Sequence, residues 1–153
     1  MRRTLAIGLS GCLMLALGAT SIAQEKAAPA GKLEPLVSIR ELMEQTITPA
    51  TNQLWRAWEE PSTDEEWKQM EDAAVTLLAA SSLVAAGGTG PMDNAWAAEP
   101  AWKAFNQAMI VAGRTALKAS RERDQDSLLA AGDELLPPCE GCHQQFNPGV
   151  VGQ

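Results

Sequence analysis

From Leu36 to Phe146 the apolar residues of this 153-residue chain recur at steps of three and four, and no stretch alternates at a step of two. Residues three and four apart share a face only on an α-helix, whereas a half-buried strand needs alternation. The spacing therefore predicts an all-α fold. Its length suits one domain with a sizeable core.

Four helical segments follow from the pattern. In the first, Leu36, Ile39, Met43, Ile47, Ala50, Leu54 and Trp58 form one stripe. Pro35 suits its opening turn, and Pro49 lies inside it, where a missing N–H should kink or locally break the helix. Ser62 and Thr63, each followed three residues later by a glutamate, predict a capping box for the second segment. Its stripe is Trp67, Met70, Ala74, Leu77, Leu78, Ser81 and Val84, and Gly87-Gly88 and Pro91 stop it. A connection carries Trp96. The third segment starts near Pro100 and aligns Trp102, Phe105, Met109, Ala112 and Ala116. The fourth aligns Leu128, Ala131, Leu135, Cys139, Cys142 and Phe146, with Pro137-Pro138 expected to break or kink it. Segments of this length joined by short links predict an antiparallel four-helix bundle. For most of the methionine and tryptophan stripe, core packing is sufficient explanation.

The N-terminus reads as an address. Met1-Arg2-Arg3, the apolar run Leu5 to Gly18 and the small residues Ala19 to Ala23 have the layout of a secretory signal peptide, residues 1–23, cleaved after Ala23. Leu9-Ser10-Gly11-Cys12 is also compatible with a lipoprotein cleavage box, although few apolar residues precede Cys12. Residues 24–34, rich in Ala, Pro and Gly, form a flexible linker, and the bundle domain runs over 35–153. No stretch is long and apolar enough for a membrane span. Cleavage leaves ten basic residues against nineteen acidic, so the net charge moves from −7 to −9. Such a surface is a poor match for nucleic acid. The destination is the periplasm or beyond, where an unoccupied cysteine pair tends to oxidise.

Both cysteines that survive cleavage and the only histidine of the chain fall within five residues, Cys139-Glu140-Gly141-Cys142-His143. This C-x-x-C-H arrangement is the attachment signal of a c-type haem. Two thiols at this spacing add to the two vinyl groups, and the adjoining imidazole supplies the proximal nitrogen. Other readings are weaker. A thioredoxin-type pair belongs beside a βαβ pattern. Zinc needs four ligands, and a disulfide spanning two residues is strained.

Together these features resemble the cytochrome c-prime family: an export signal, an all-helical domain of this size and C-x-x-C-H near the end of the last helix. Class I cytochromes c instead carry the motif near their N-terminus. The resemblance covers about residues 35–147. It includes Ile39-Arg40-Glu41-Leu42-Met43, Ala131-Gly132-Asp133-Glu134-Leu135, and Phe146 three residues past His143. It implies one covalent haem c held by Cys139 and Cys142, with His143 on the iron. In one branch an apolar side chain of the first helix crowds the distal face, and the five-coordinate iron binds NO or CO. In the low-spin branch a first-helix methionine ligates iron and the protein carries electrons.

With His143 committed, the other axial ligand must be sought among Met43, Met70, Met92 and Met109. Met43 stands where the low-spin branch places its methionine; the plainer reading is a core gap-filler. Met70 and Met109 read as core, Met92 ranks behind Met43, and Leu42 is the steric gate if Met43 points away. Two departures from the family pattern bear on this choice. Asn147 replaces the basic residue many members carry four positions after the histidine, and Pro137-Pro138 precedes the haem motif.

The resulting expectation is a periplasmic, non-enzymatic one-electron carrier with His143 and Met43 as axial ligands and a redox partner presenting a basic face. The alternatives are a high-spin NO- or CO-binding protein and a haem-free structural module. Pairing through the first two helices is common in the family, so Trp55 is a candidate homodimer contact, although a flank aromatic is also compatible with partly buried core.

Overall fold

Ser38 starts the first helix. Its hydroxyl accepts from the Glu41 backbone N–H while the Glu41 carboxylate accepts from the Ser38 N–H, a closed capping box. In the computed structural model, which describes residues 33–150, the helix consequently begins at Ile39 and not at Pro35. Leu36, placed on the core stripe by spacing, lies outside the helix and is 90% exposed. Trp58, at the other end of that stripe, is also exposed, because the helix has tightened into a 3₁₀ turn over Arg56–Trp58. The signal peptide 1–23 and most of the linker 24–34 lie outside the described residues.

Every regular element among the described residues is helical. Besides 3₁₀ turns at Arg56–Trp58 and Pro148–Val150, these are α1 (Ile39–Leu42), a π-helical turn (Met43–Ile47), α2 (Thr48–Trp55), α3 (Asp64–Ala86), α4 (Asp93–Ala98), α5 (Pro100–Glu122) and α6 (Gln125–Phe146). The second capping box forms as expected, with Thr63 and Glu66 as partners. Gly87 ends α3 at φ +96°, a left-handed conformation that costs glycine little. Pro100 occupies the first turn of α5, where no N–H is needed. Trp96, assigned to a connection, lies on the short α4.

The π turn answers Pro49. A proline at that position cannot donate to Gln45, and its ring crowds the Gln45 carbonyl. The ladder widens just before it, with the Thr48 N–H reaching five residues back to Met43 O. The extra residue changes which side chains face inward. Leu42 and Ile47, five apart, are both buried, whereas a regular α-helix would bring residue 46 beneath Leu42. Met43 is half-buried at the edge of the core. Thus the stripe runs through Leu42, which plain steps of four had left off it.

Pro137-Pro138 does not break α6. The two carbonyls that lose their donors belong to Asp133 and Glu134, both on exposed residues where water can replace the N–H. Leu135 and Pro138 remain buried on the inner face.

Contacts of α5 with α3 and α6, and of α2 with α3 and α6, close a ring of helices around the core. Its centre is built of Leu54, Leu77, Leu128 and Leu135, interleaved with alanines that let the helices approach closely. No helix among the described residues is long and apolar enough to cross a membrane.

Candidate haem-binding site

Cys139, Cys142 and His143 lie on the last two turns of α6 at steps of three and four, so all three share a face. Each is partly buried, and both cysteines are free thiols. Burial, reinforced by the negative charge of Glu140, pushes the Cys139 thiol up. Burial, with a smaller contribution from Cys139, pushes Cys142 up to about 11. Both are therefore neutral thiols near pH 7, unlike the acidified cysteines of thioredoxin-type centres. Among the described residues no group of three or more His, Cys, Asp or Glu side chains is arranged to hold a metal ion.

Two cavities flank this face. One, of about 540 Å³, runs into the bundle between α2, α5 and α6. The other, of about 780 Å³, lies toward the start of α1 and the loop before α4. Both fall in the range of roughly 300–1,000 Å³ typical of cofactor sites. They share five wall residues, Met43, Thr48, Trp102, Cys142 and His143, so the imidazole and the thioether border the same two spaces.

Of the other methionines, Met92 is 48% exposed and borders only the larger cavity. Met70 is buried core, where it accepts a long hydrogen bond from Gln53 Nε2. Met109 is buried too but also borders the smaller cavity, a placement its spacing did not reveal. Leu42 lines neither cavity, so the structure does not support it as a steric gate; the five-residue turn has carried it into the core.

Aromatic rings close one end. Trp102 stacks on Trp96 with centroids 5.9 Å apart and meets Phe146 edge-on at 5.1 Å. Phe105 packs against the C-x-x-C-H stretch itself, since a Cβ on Gly141 would lie 2.6 Å from its Cε1. Trp55, weighed as a dimer contact, is engaged within the chain: its indole N–H donates to Gly132 O at 2.9 Å, tying α2 to α6. Asn147 donates its backbone N–H to His143 O and borders the larger cavity.

Nothing in the sequence marks Asn106 as a wall of this site, yet it is one. Its Nδ2 donates to Ser81 O at 3.1 Å, while its buried Oδ1 has no partner although the residue borders the smaller cavity. A lone asparagine on a helical stripe gives no signal of this kind. The donor set and walls suit haem: two thiols, one imidazole, a thioether shared by both cavities with one more on each, and broad aromatic surfaces.

Compared with family models, with curated proteins and with solved structures, the chain matches none.

Proposed function

We propose that this chain is a periplasmic c-type haem protein and a one-electron carrier, built as an antiparallel four-helix bundle with His143 and Met43 as axial ligands. The observation that carries the reading is that these two residues, from opposite ends of the sequence, border the same pair of cavities beside two free thiols. The C-x-x-C-H spacing and the export signal support it independently.

Cys139 and Cys142 would hold the group through thioether links, each thiol giving its hydrogen and sulfur across a vinyl double bond. His143 would supply the proximal nitrogen. When bound, haem supplies reversible one-electron exchange at iron. The chain does the rest. Trp102 and Phe105 line the cavity and would shield the group from water, and the Met43 sulfur, a soft donor, would favour its reduced state and raise its potential. No bond-making step is assigned to the protein. Its acidic surface suits a partner with a basic docking face.

The runner-up, an open iron face that binds NO or CO, is favoured by the half-burial of Met43 at the mouth of a π turn, a common location for functional irregularity. Absorption spectra of the exported protein with and without CO separate the readings. The carrier reading expects a low-spin spectrum that CO barely perturbs and that Met43→Ala converts to high-spin. A high-spin wild type that binds CO readily would establish the runner-up instead.

A further inference from the structure

Asp93 is 4% exposed, yet no Lys or Arg pairs with it among the described residues. Its carboxylate is occupied by backbone. One oxygen, Oδ2, accepts from the Ile39 N–H at 2.8 Å, 54 residues away in sequence, and from the Gly90 N–H at 2.8 Å. A buried carboxylate is costly unless such donors compensate it, so this pairing is firmly specified.

The loop is shaped around that oxygen. A Cβ on Gly88 would collide with Oδ2 and stand 2.8 Å from the Ile39 nitrogen, and a Cβ on Gly90 would stand 2.7 Å from Oδ1. Beside it, the Thr89 N–H donates to Val37 O at 3.1 Å. The start of α1 is thus pinned to the loop before α4.

Ile39 and Met43 are four apart, hence stacked on one face of the helix, and both border the larger cavity. Met43 opens the π turn that separates α1 from the eight-residue α2, so the four-residue α1 is not held in place by an unbroken α-helical ladder. The Asp93 contact supplies that constraint from outside. We propose that Asp93 is a positioning residue for Met43: by fixing the Ile39 N–H it sets where the thioether stands along the cavities that His143 also borders. The proposal rests on the reading of Met43 as an iron ligand.

The test compares the haem-loaded wild type with Asp93→Ala, Asp93→Asn and Met43→Ala, reading ferric spin state and CO affinity. Apparent CO affinity scales with the fraction of iron that Met43 leaves free. Asp93→Ala is expected to shift the spectrum toward high-spin and tighten CO binding about tenfold. Asp93→Asn keeps an oxygen for both N–H groups and is expected to stay close to wild type, a rescue that general loosening of the fold would not reproduce. If Met43→Ala changes the spectrum but Asp93→Ala does not, the positioning role is overturned while ligation stands. If Met43→Ala changes nothing, ligation itself fails. Should Asp93→Ala not accumulate, Gly88→Ala crowds the same contact, and a low-spin, CO-insensitive Gly88→Ala protein would equally overturn the proposal.

Discussion

The ring edge of Phe105, on α5, occupies the space beside Gly141, on α6: a Cβ at position 141 would come within 2.6 Å of Phe105 Cε1. Gly141, one of the two residues between the thiols, is thus a point of close approach between α5 and α6. In most helix interiors alanine is better than glycine by about 0.5–1 kcal/mol. Here the added methyl must displace an aromatic ring that lines the smaller cavity, and overpacking costs about 1–3 kcal/mol. Gly141→Ala is therefore expected to lower stability by about 1–2 kcal/mol in urea unfolding. Pairing it with Phe105→Leu should recover much of the loss, and strict additivity of the two variants would contradict the contact.

Cys139 and Cys142 provide the most direct test of covalent attachment. Cys139→Ser or Cys142→Ser leaves one thioether, and the double variant leaves none. Haem that co-migrates with the chain under denaturing conditions should persist in the single variants and disappear from the double variant. A wild-type chain exported without covalent haem would remove the carrier reading altogether.

A pH dependence follows from the helix caps. Hydrogen bonds from Ser62, then Thr63, hold the Glu66 carboxyl below its usual range, and those from Ser38 do the same for Glu41. Those from Ser127 do so for Asp124. A carboxyl lowered in the folded state stabilises fully above its unfolded pKa, about 4.3 for Glu, and that contribution is lost as pH falls through the folded value. Melting temperature should therefore fall on acidification from about pH 5 toward pH 3. Glu66→Gln, which keeps an acceptor but cannot titrate, should make that acid limb shallower while changing little near pH 7. An unchanged acid limb would mean that Glu66 contributes nothing to it.

Local features were legible in the chain because their physics is local. One-sided burial writes a period of three to four into each helix, and Thr63, Gly87 and Pro100 mark ends through bonds or dihedrals within a few residues. The equally local box of Ser38 and Glu41 was masked by Pro35, which suits a first turn just as well. The clustering of Cys139, Cys142 and His143 on one face of α6 was legible for the same reason, since i, i+3 and i+4 fall together on any helix. What escaped notice depends on partners far away in sequence. Leu42 faces inward because the turn before Pro49 takes five residues, so Leu42 pairs with Ile47, an offset that counting steps of three and four does not reveal. Asp93 matters through Ile39, Gly141 through Phe105 and Asn106 through Ser81. Pro137-Pro138 misled in the opposite direction: the rule against interior proline assumes that the freed carbonyls are buried, and those of Asp133 and Glu134 belong to exposed residues.

Trp55 offers the last prediction. Its indole N–H donates to Gly132 O at 2.9 Å, and a Cβ on Gly132 would lie 3.4 Å from its ring, ordinary contact. The bond links α2, which follows the Met43 turn, to α6, which bears Cys139, Cys142 and His143. Trp55→Phe keeps an aromatic ring but removes the donor, so a loss of about 1 kcal/mol is expected in urea unfolding. Its surface role makes a second demand. Because the ring is committed to α6 and only partly exposed, Trp55→Phe should leave the oligomeric state unchanged in sedimentation measurements. A shift from dimer to monomer on this substitution would instead restore Trp55 as an interface residue, with the Gly132 contact secondary to it.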